Sequence, residues 1–273
     1  MYAFGPLPRQ KRTGRVIGTH QKIDRVARRH FSKHMGTVPF PAIDEILHFE
    51  GSRGPDGIKL KSPGRDEPWH FIDPKRIKPN DRLLHDVESH SQNLTAALLD
   101  DDMTRASFEA AWLAHAVTDG LTPAHHEPLE EQLRSIKHQD DRRHNVRSKV
   151  IMAGHGSRRQ FIRNNWKYWG AKGIMTTHTL FEAGVATAAK PLQFKEAAID
   201  DDDVTDLEAR GFRQLYIDTI QYIDELDMYE RFKRDGWTQT LARQTTRELI
   251  PNIIRAVELA WLEAYRRAER EHP

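Results

Sequence analysis

Apolar residues recur at three- and four-residue intervals along most of the chain, which is the spacing of one helix face. Ile23, Val26, Ala27 and Phe31 form one such stripe and predict a helix over 20–34. Pro41 opens a short helix through Leu47. Residues 49–78, rich in Gly, Pro and Asp, break the pattern and predict a long ordered loop. A loop of that length in a compact chain is usually functional. Asn80 or Asp81 then caps a helix to about Leu99. The run "DDDMTRASFEAAWLAHAVTDG" reads as an acidic start, a Thr cap, a helix and a Gly stop. Further helices are predicted near 128–138, 143–152, 157–168 and 175–189, and two long ones over about 204–233 and 238–269. No strand run and no internal repeat is present in the pattern. The expectation is an all-α, single-domain helical bundle over 19–271, preceded by a basic arm over 1–18.

Composition narrows this picture in a few places. The 38% apolar fraction supports a sizeable core, and a net charge of +2 argues neither for nor against nucleic acid. Cysteine is absent, so any metal must be held by His and carboxylates, and histidine is plentiful at 15 residues. No run approaches the roughly 18 apolar residues of a membrane helix. The first residues carry no apolar segment of the signal-peptide kind. The expected location is therefore cytoplasmic, or secreted if a leader has been trimmed, with no stable membrane insertion. The acidic run "IDDDDVTD" over 199–206 reads as a loop and a helix N-terminus.

The candidate chemistry lies in "AAWLAHAVTDGLTPAHH", residues 110–126. His115 and Asp119 stand at i, i+4, which places both side chains on one helix face about 5–6 Å apart. Trp112, Leu113, Ala116 and Val117 would bury that helix. A buried carboxylate is costly unless it is paired or bound to a metal. No Lys or Arg lies between Trp112 and Glu127, and that local silence favours a metal. The Gly-Leu-Thr-Pro turn that follows could aim His125 at a neighbouring ion. His126 finds no role. Read singly, each of these is more readily a core histidine or a capping Asp than a ligand; together they are not.

His115-x3-Asp119-x2-Thr122-Pro123-x-His125 resembles the "HxxxDxxQPxH" signature of the zinc-dependent phospholipase C and P1-type nuclease family. "GTHQKIDRVARR" resembles the family's first helix and points to His20. "WHFIDP" is similar to its "SHFYDP" and points to His70. Asp56 lies 14 residues before His70, where the phospholipase places an acidic residue. "HTLFEAGVATAAK" and "IIRAVELAWLEAYRRA" resemble later family helices. The resemblance runs in order over roughly residues 18–268. It implies a helical fold with a cluster of two or three zinc ions. His70, His115 and Asp119 would hold one, Asp119 would bridge to a second bound by His20, and His125 with a later His would hold a third. Asp56 would contact the attacking water or act as general base. The implied activity is hydrolysis of a phosphodiester, in a phospholipid or a nucleic acid.

Two departures from the family pattern stand out. Its later ligands form His-x3-Glu or His-x3-Asp, and the counterpart chosen here is His144, with Ser148 at the carboxylate position. Glu131, Asp140, Asp141 and His155 are possible substitutes. Nor does any Trp precede His20, where the family uses an N-terminal Trp. Both departures keep open a different class of function, a helical metal-binding scaffold without turnover. His85-Asp86, with His90 and Asp119, offers a looser alternative, that of the phosphohydrolases named for a His-Asp pair. The cations Arg53, Lys59, Lys61 and Arg65 lean toward a charged substrate, and the "THxxI" and "HFxDP" pieces toward the phospholipase side. Trp69, Phe71, Trp166 and Tyr168 are candidate cleft aromatics.

Overall fold

In the computed structural model, residues 18–61, 69–127, 151–152, 154 and 156–271 are described. Those residues are helical throughout their regular structure, and no strand occurs among them. The core is made by helices whose apolar stripes match. Helix α1 is Thr19–Phe31, α2 is Ile43–His48 and α3 is Pro55–Lys61. Helices α4, Arg82–Leu99, and α5, Met103–Gly120, follow as an antiparallel pair joined through Asp101, which takes φ 52°. Asp81 caps α4 by accepting from Leu83 N at 3.0 Å. Asp102, rather than the expected Thr, caps α5 by accepting from Arg105 N at 2.9 Å. A side-chain oxygen at the N-cap satisfies amides that have no partner in the first turn.

After the undescribed stretch come α6, Arg158–Trp169, and α7, Ile174–Ala189. Then follow α8, Asp201–Arg210; α9, Phe212–Glu225; α10, Met228–Asp235; α11, Gln239–Gln244; and α12, Ile250–Glu271. Helix α12 lies against α1, α4 and α5 and is buried over most of its surface. Trp261 donates to Ala110 O on α5 at 3.0 Å, and the Tyr265 hydroxyl donates to Val38 O at 2.9 Å. One large apolar cluster runs through all of these contacts. A satellite pair, Met152 and Tyr168, sits under α6.

Several expected elements are divided. The span 49–78 holds a tight turn, Gly51–Arg53, and helix α3. The expected helix over 204–233 is three helices, broken at Gly211 (φ 74°) and Asp227 (φ 50°). The helix over 238–269 is interrupted by a π turn at Thr245–Leu249, just before Pro251. Proline lacks an N–H and crowds the carbonyl four residues back, so the ladder is displaced there. The acidic run becomes the start of α8, where Asp200 and Asp203 form a reciprocal cap. The helix predicted near 128–138 and most of that near 143–152 lie outside the described residues, as does the basic arm apart from Gly18. No described helix is long and apolar enough to cross a membrane.

Candidate metal centre

Small residues bring α5 close to its neighbours: Ala106, Ala110, Ala111 and Ala114 are fully buried. His115 and Asp119 continue the same packed surface, 2% and 1% exposed. Beyond Gly120 the chain folds tightly, because Thr122 N donates to Asp119 O and His125 N donates to Thr122 O at 2.8 Å. Pro123 begins a short helical turn that carries His125 back toward Asp119. His70 arrives from the segment before α4, tied to this turn by Ile72 N donating to His125 O at 3.2 Å. His20 stands in the first turn of α1.

The result is one carboxylate ringed by four imidazoles. Asp119 Oδ2 meets His70 Nδ1, and His115 Nε2 at 3.2 Å; Oδ1 meets His125 Nδ1 at 3.3 Å and His20 Nε2 at 3.5 Å. Asp56, in the first turn of α3, lies 3.7 Å from His115 Nε2. Its side chain is 26% exposed, against 1% for Asp119, so it is the carboxylate that faces solvent. Gly54 permits this arrangement, since a Cβ there would stand 2.8 Å from Phe49 O and 2.9 Å from Glu50 Cα.

A second constellation adjoins the first. His125 Nε2 lies 3.4 Å and His178 Nε2 3.2 Å from Glu182 Oε1, and the two imidazoles stack with centroids 5.2 Å apart. His178 and Glu182 are one turn apart on α7. They have the His-x3-Glu spacing that the resemblance gives its later ligands, for which the sequence reading chose His144. His144 itself, with Ser148 and the substitutes Glu131, Asp140, Asp141 and His155, lies outside the described residues. The signal was present in "HTLFE".

Glu50 was also missed. It is 4% exposed, takes the Gly51 amide on Oε2 at 3.2 Å, and faces His115 Nδ1 with Oε1 at 3.3 Å. A carboxylate on one ring nitrogen fixes the tautomer and aims the other nitrogen at the site. Asp24, one turn after His20, is fully buried; burial and the neighbouring Glu50 push its carboxyl well up.

The donor set suits metal ions. Three groups have ligand atoms mutually within 4.8 Å: His20, Asp56 and His115; His70, His115 and Asp119; and His125, His178 and Glu182. Both ring nitrogens of His20, Nε2 of His115 and Nδ1 of His125 are buried without a hydrogen bond. Zinc bonds of about 2.0–2.2 Å in a tetrahedron set neighbouring ligands about 3.3–3.6 Å apart, which is close to the separations above. His20 and His115 stack with centroids 4.1 Å apart, an uncomfortable pairing for two protonated rings. Burial favours the neutral forms, yet Asp119 and Glu50 push His115 well above the ordinary imidazole range. Burial likewise opposes the ionised Asp119, but His125, His115 and His70 hold it well below the usual carboxylate range. Glu182 is held down in the same way, against burial, by His178 and His125. A bound cation would take the place of the imidazole protons and be held by the ionised carboxylates.

Other sequence candidates fall elsewhere. His85 is exposed on α4, and His90 pairs with Glu109 Oε2 at 2.5 Å, so the His-Asp alternative assembles no site. His126 donates from Nε2 to Gly120 O at 2.8 Å, capping the C-terminus of α5, and its Nδ1 stands 3.6 Å from Asp224. Arg53 turns to His48, at 2.8 Å from Nδ1. The side chains of Lys59 and Lys61, and Arg65 as a whole, lie outside the described residues. Phe71 packs on His125 with centroids 5.3 Å apart, and Trp69 donates to Phe71 O at 2.5 Å. Tyr168 is a core residue, whereas Trp166 projects from the surface. No family model matches the chain, and no curated protein matches it.

Proposed function

We propose that the chain is a zinc-dependent phosphodiester hydrolase of the phospholipase C/P1 nuclease type, acting in the phospholipase C manner. The observation that carries this reading is the ring of His20, His70, His115 and His125 around the buried Asp119. His70, His115 and Asp119 would hold one ion; His20, sharing Asp119, a second; and His125, His178 and Glu182 a third. Zinc so held supplies Lewis acidity toward the phosphoryl oxygens and a lowered pKa for water.

The protein's own residues then have separable tasks. Glu50 orients His115. Asp56 is the proton acceptor: burial would raise its carboxyl, but His115 and His70 bring it below the ordinary value, so it is ionised at neutral pH. As the water oxygen attacks phosphorus, its proton passes to an Asp56 oxygen. The bond from phosphorus to the leaving oxygen breaks, that oxygen takes a proton from solvent and departs as an alcohol, and Asp56 returns its proton to solvent. With Glu182 supplying the carboxylate, Ser148 no longer argues for an inert scaffold.

The test is hydrolysis of a chromogenic phosphodiester by the metal-loaded protein, with and without chelator, alongside phospholipid and oligonucleotide substrates. Turnover that chelator abolishes and zinc restores is expected. Metal-loaded protein without chelator-sensitive turnover on any of these substrates would leave the scaffold reading in its place.

A further inference from the structure

Helix α6 is built inside out. Only Asn164 and Tyr168 are buried along it. Ile162, Trp166 and Trp169, spaced i, i+4, i+7, form a stripe on the opposite side and are 67%, 70% and 44% exposed. An ordinary surface helix turns such a stripe toward the core. Arg159 and Arg163 are exposed beside it, also one turn apart. From Ile151 to Phe181 the chain carries five Lys or Arg and no Asp or Glu. The helix is firmly attached to the metal centre: Thr176 Oγ1 donates to Trp169 O at 2.9 Å, and α6 packs on α7, which carries His178 and Glu182.

We propose that α6 docks the protein on an anionic phospholipid surface, lying in the interface with Ile162, Trp166 and Trp169 toward the acyl region. Indole rings and an aliphatic residue flanked by arginines are what such an interface takes up. A nucleic acid would use the cations and stack on the indoles, but the two-thirds-exposed Ile162 at the head of the stripe would have no base to meet. A second copy of the helix would face five like charges with five more. Docking deepens the phospholipase C reading and is measurable without turnover, so the failure of one is distinguishable from failure of the other.

The experiment is co-sedimentation of the full chain, with chelator present to silence hydrolysis, on phosphatidylcholine vesicles and on vesicles containing phosphatidylserine. Binding to the anionic vesicles that weakens with added salt is expected. The double variant Ile162→Ser, Trp166→Ser should weaken it by about tenfold or more. Arg159→Glu with Arg163→Glu should abolish the preference for phosphatidylserine. Unchanged circular dichroism and melting temperature in both variants would show that the fold is intact. The proposal is overturned if wild-type protein ignores anionic vesicles, or if the double variant binds them as well as wild type does. It is also overturned if those residues instead bind a single-stranded oligonucleotide or hold together a dimer.

Discussion

Helices α5 and α6 break the same rule in opposite directions. Helix α5 is an alanine-rich core helix that buries a carboxylate and an imidazole; α6 is a surface helix that exposes an isoleucine and two tryptophans. Buried polar groups and exposed large apolar groups both carry a free-energy cost, and both are more informative than the ordinary arrangement. The difference lies in what relieves the cost. In α5 the relief has to come from within, because Asp119 lies at 1% exposure among rings that converge on it. In α6 it has to come from outside, because nothing described in the chain covers Trp166.

The largest effect should follow from removing the centre of the buried set. Asp119→Asn keeps the shape but removes the charge facing four imidazoles, and chelator-sensitive turnover should fall by well over about 100-fold, beyond the range for outer-shell partners. Steady-state kinetics on a chromogenic diester would show this, and near-normal turnover would detach Asp119 from the chemistry. Glu50→Gln should cost about 10–100-fold in zinc affinity, read by competition with a fluorescent chelator. The reason is that an amide no longer draws the His115 Nδ1 proton as a carboxylate does.

A third buried polar pair sharpens the contrast because it has no open side. His30 Nδ1 lies 3.0 Å from Glu258 Oε1, with the two residues 5% and 0% exposed. Burial, partly offset by the Ile199 amide and Arg255, raises the Glu258 carboxyl to about 9, and burial with Arg29 and Lys33 lowers His30. The folded state thus holds a proton on Glu258 that the unfolded state releases near 4.5, the ordinary value for a glutamate. The stability linked to this proton is fully present below about pH 4.5 and is lost as pH rises toward 9. Glu258→Gln should remove that component, so that denaturant midpoints of wild type and variant diverge in the variant's favour as pH rises across this window. Parallel curves would mean the pair is ionised. The smallest effect is expected on α6: Trp166→Ser should change stability by no more than about 0.5 kcal/mol, as surface changes do. A larger loss in thermal melting would mean that the indole is a packing residue after all.

The helical class was legible because the 3.6-residue period runs through the long helices. The breaks were not. A Pro one residue into α12 and left-handed residues at Gly211 and Asp227 divide elements that the apolar pattern alone joins. His115, Asp119 and His125 stand out locally, because a helical turn and a Thr-Pro turn bring them together. His20, Asp56 and His70 were legible only through order and spacing along the chain, and the structure brings His20 and His70 against Asp119 and Asp56 near His115. The His178–Glu182 spacing was visible, but "IMTTHTLFEAGVATAA" reads as an ordinary apolar helix until His125 is placed against it, while His144 lies outside the described residues. Glu50 had no local signal at all, as its partner is 65 residues away.

The central claim is that two adjoining sets of buried ligands hold zinc, one around Asp119 and one around Glu182. Elemental analysis of the purified chain and three variants tests it most directly. Wild type should carry more than one zinc per chain, His115→Ala should lose zinc from the first set, and His178→Ala should lose the ion of the second. His144→Ala should retain the wild-type content. Wild-type protein without stoichiometric zinc after reconstitution, or His115→Ala with its zinc unchanged, would contradict the account.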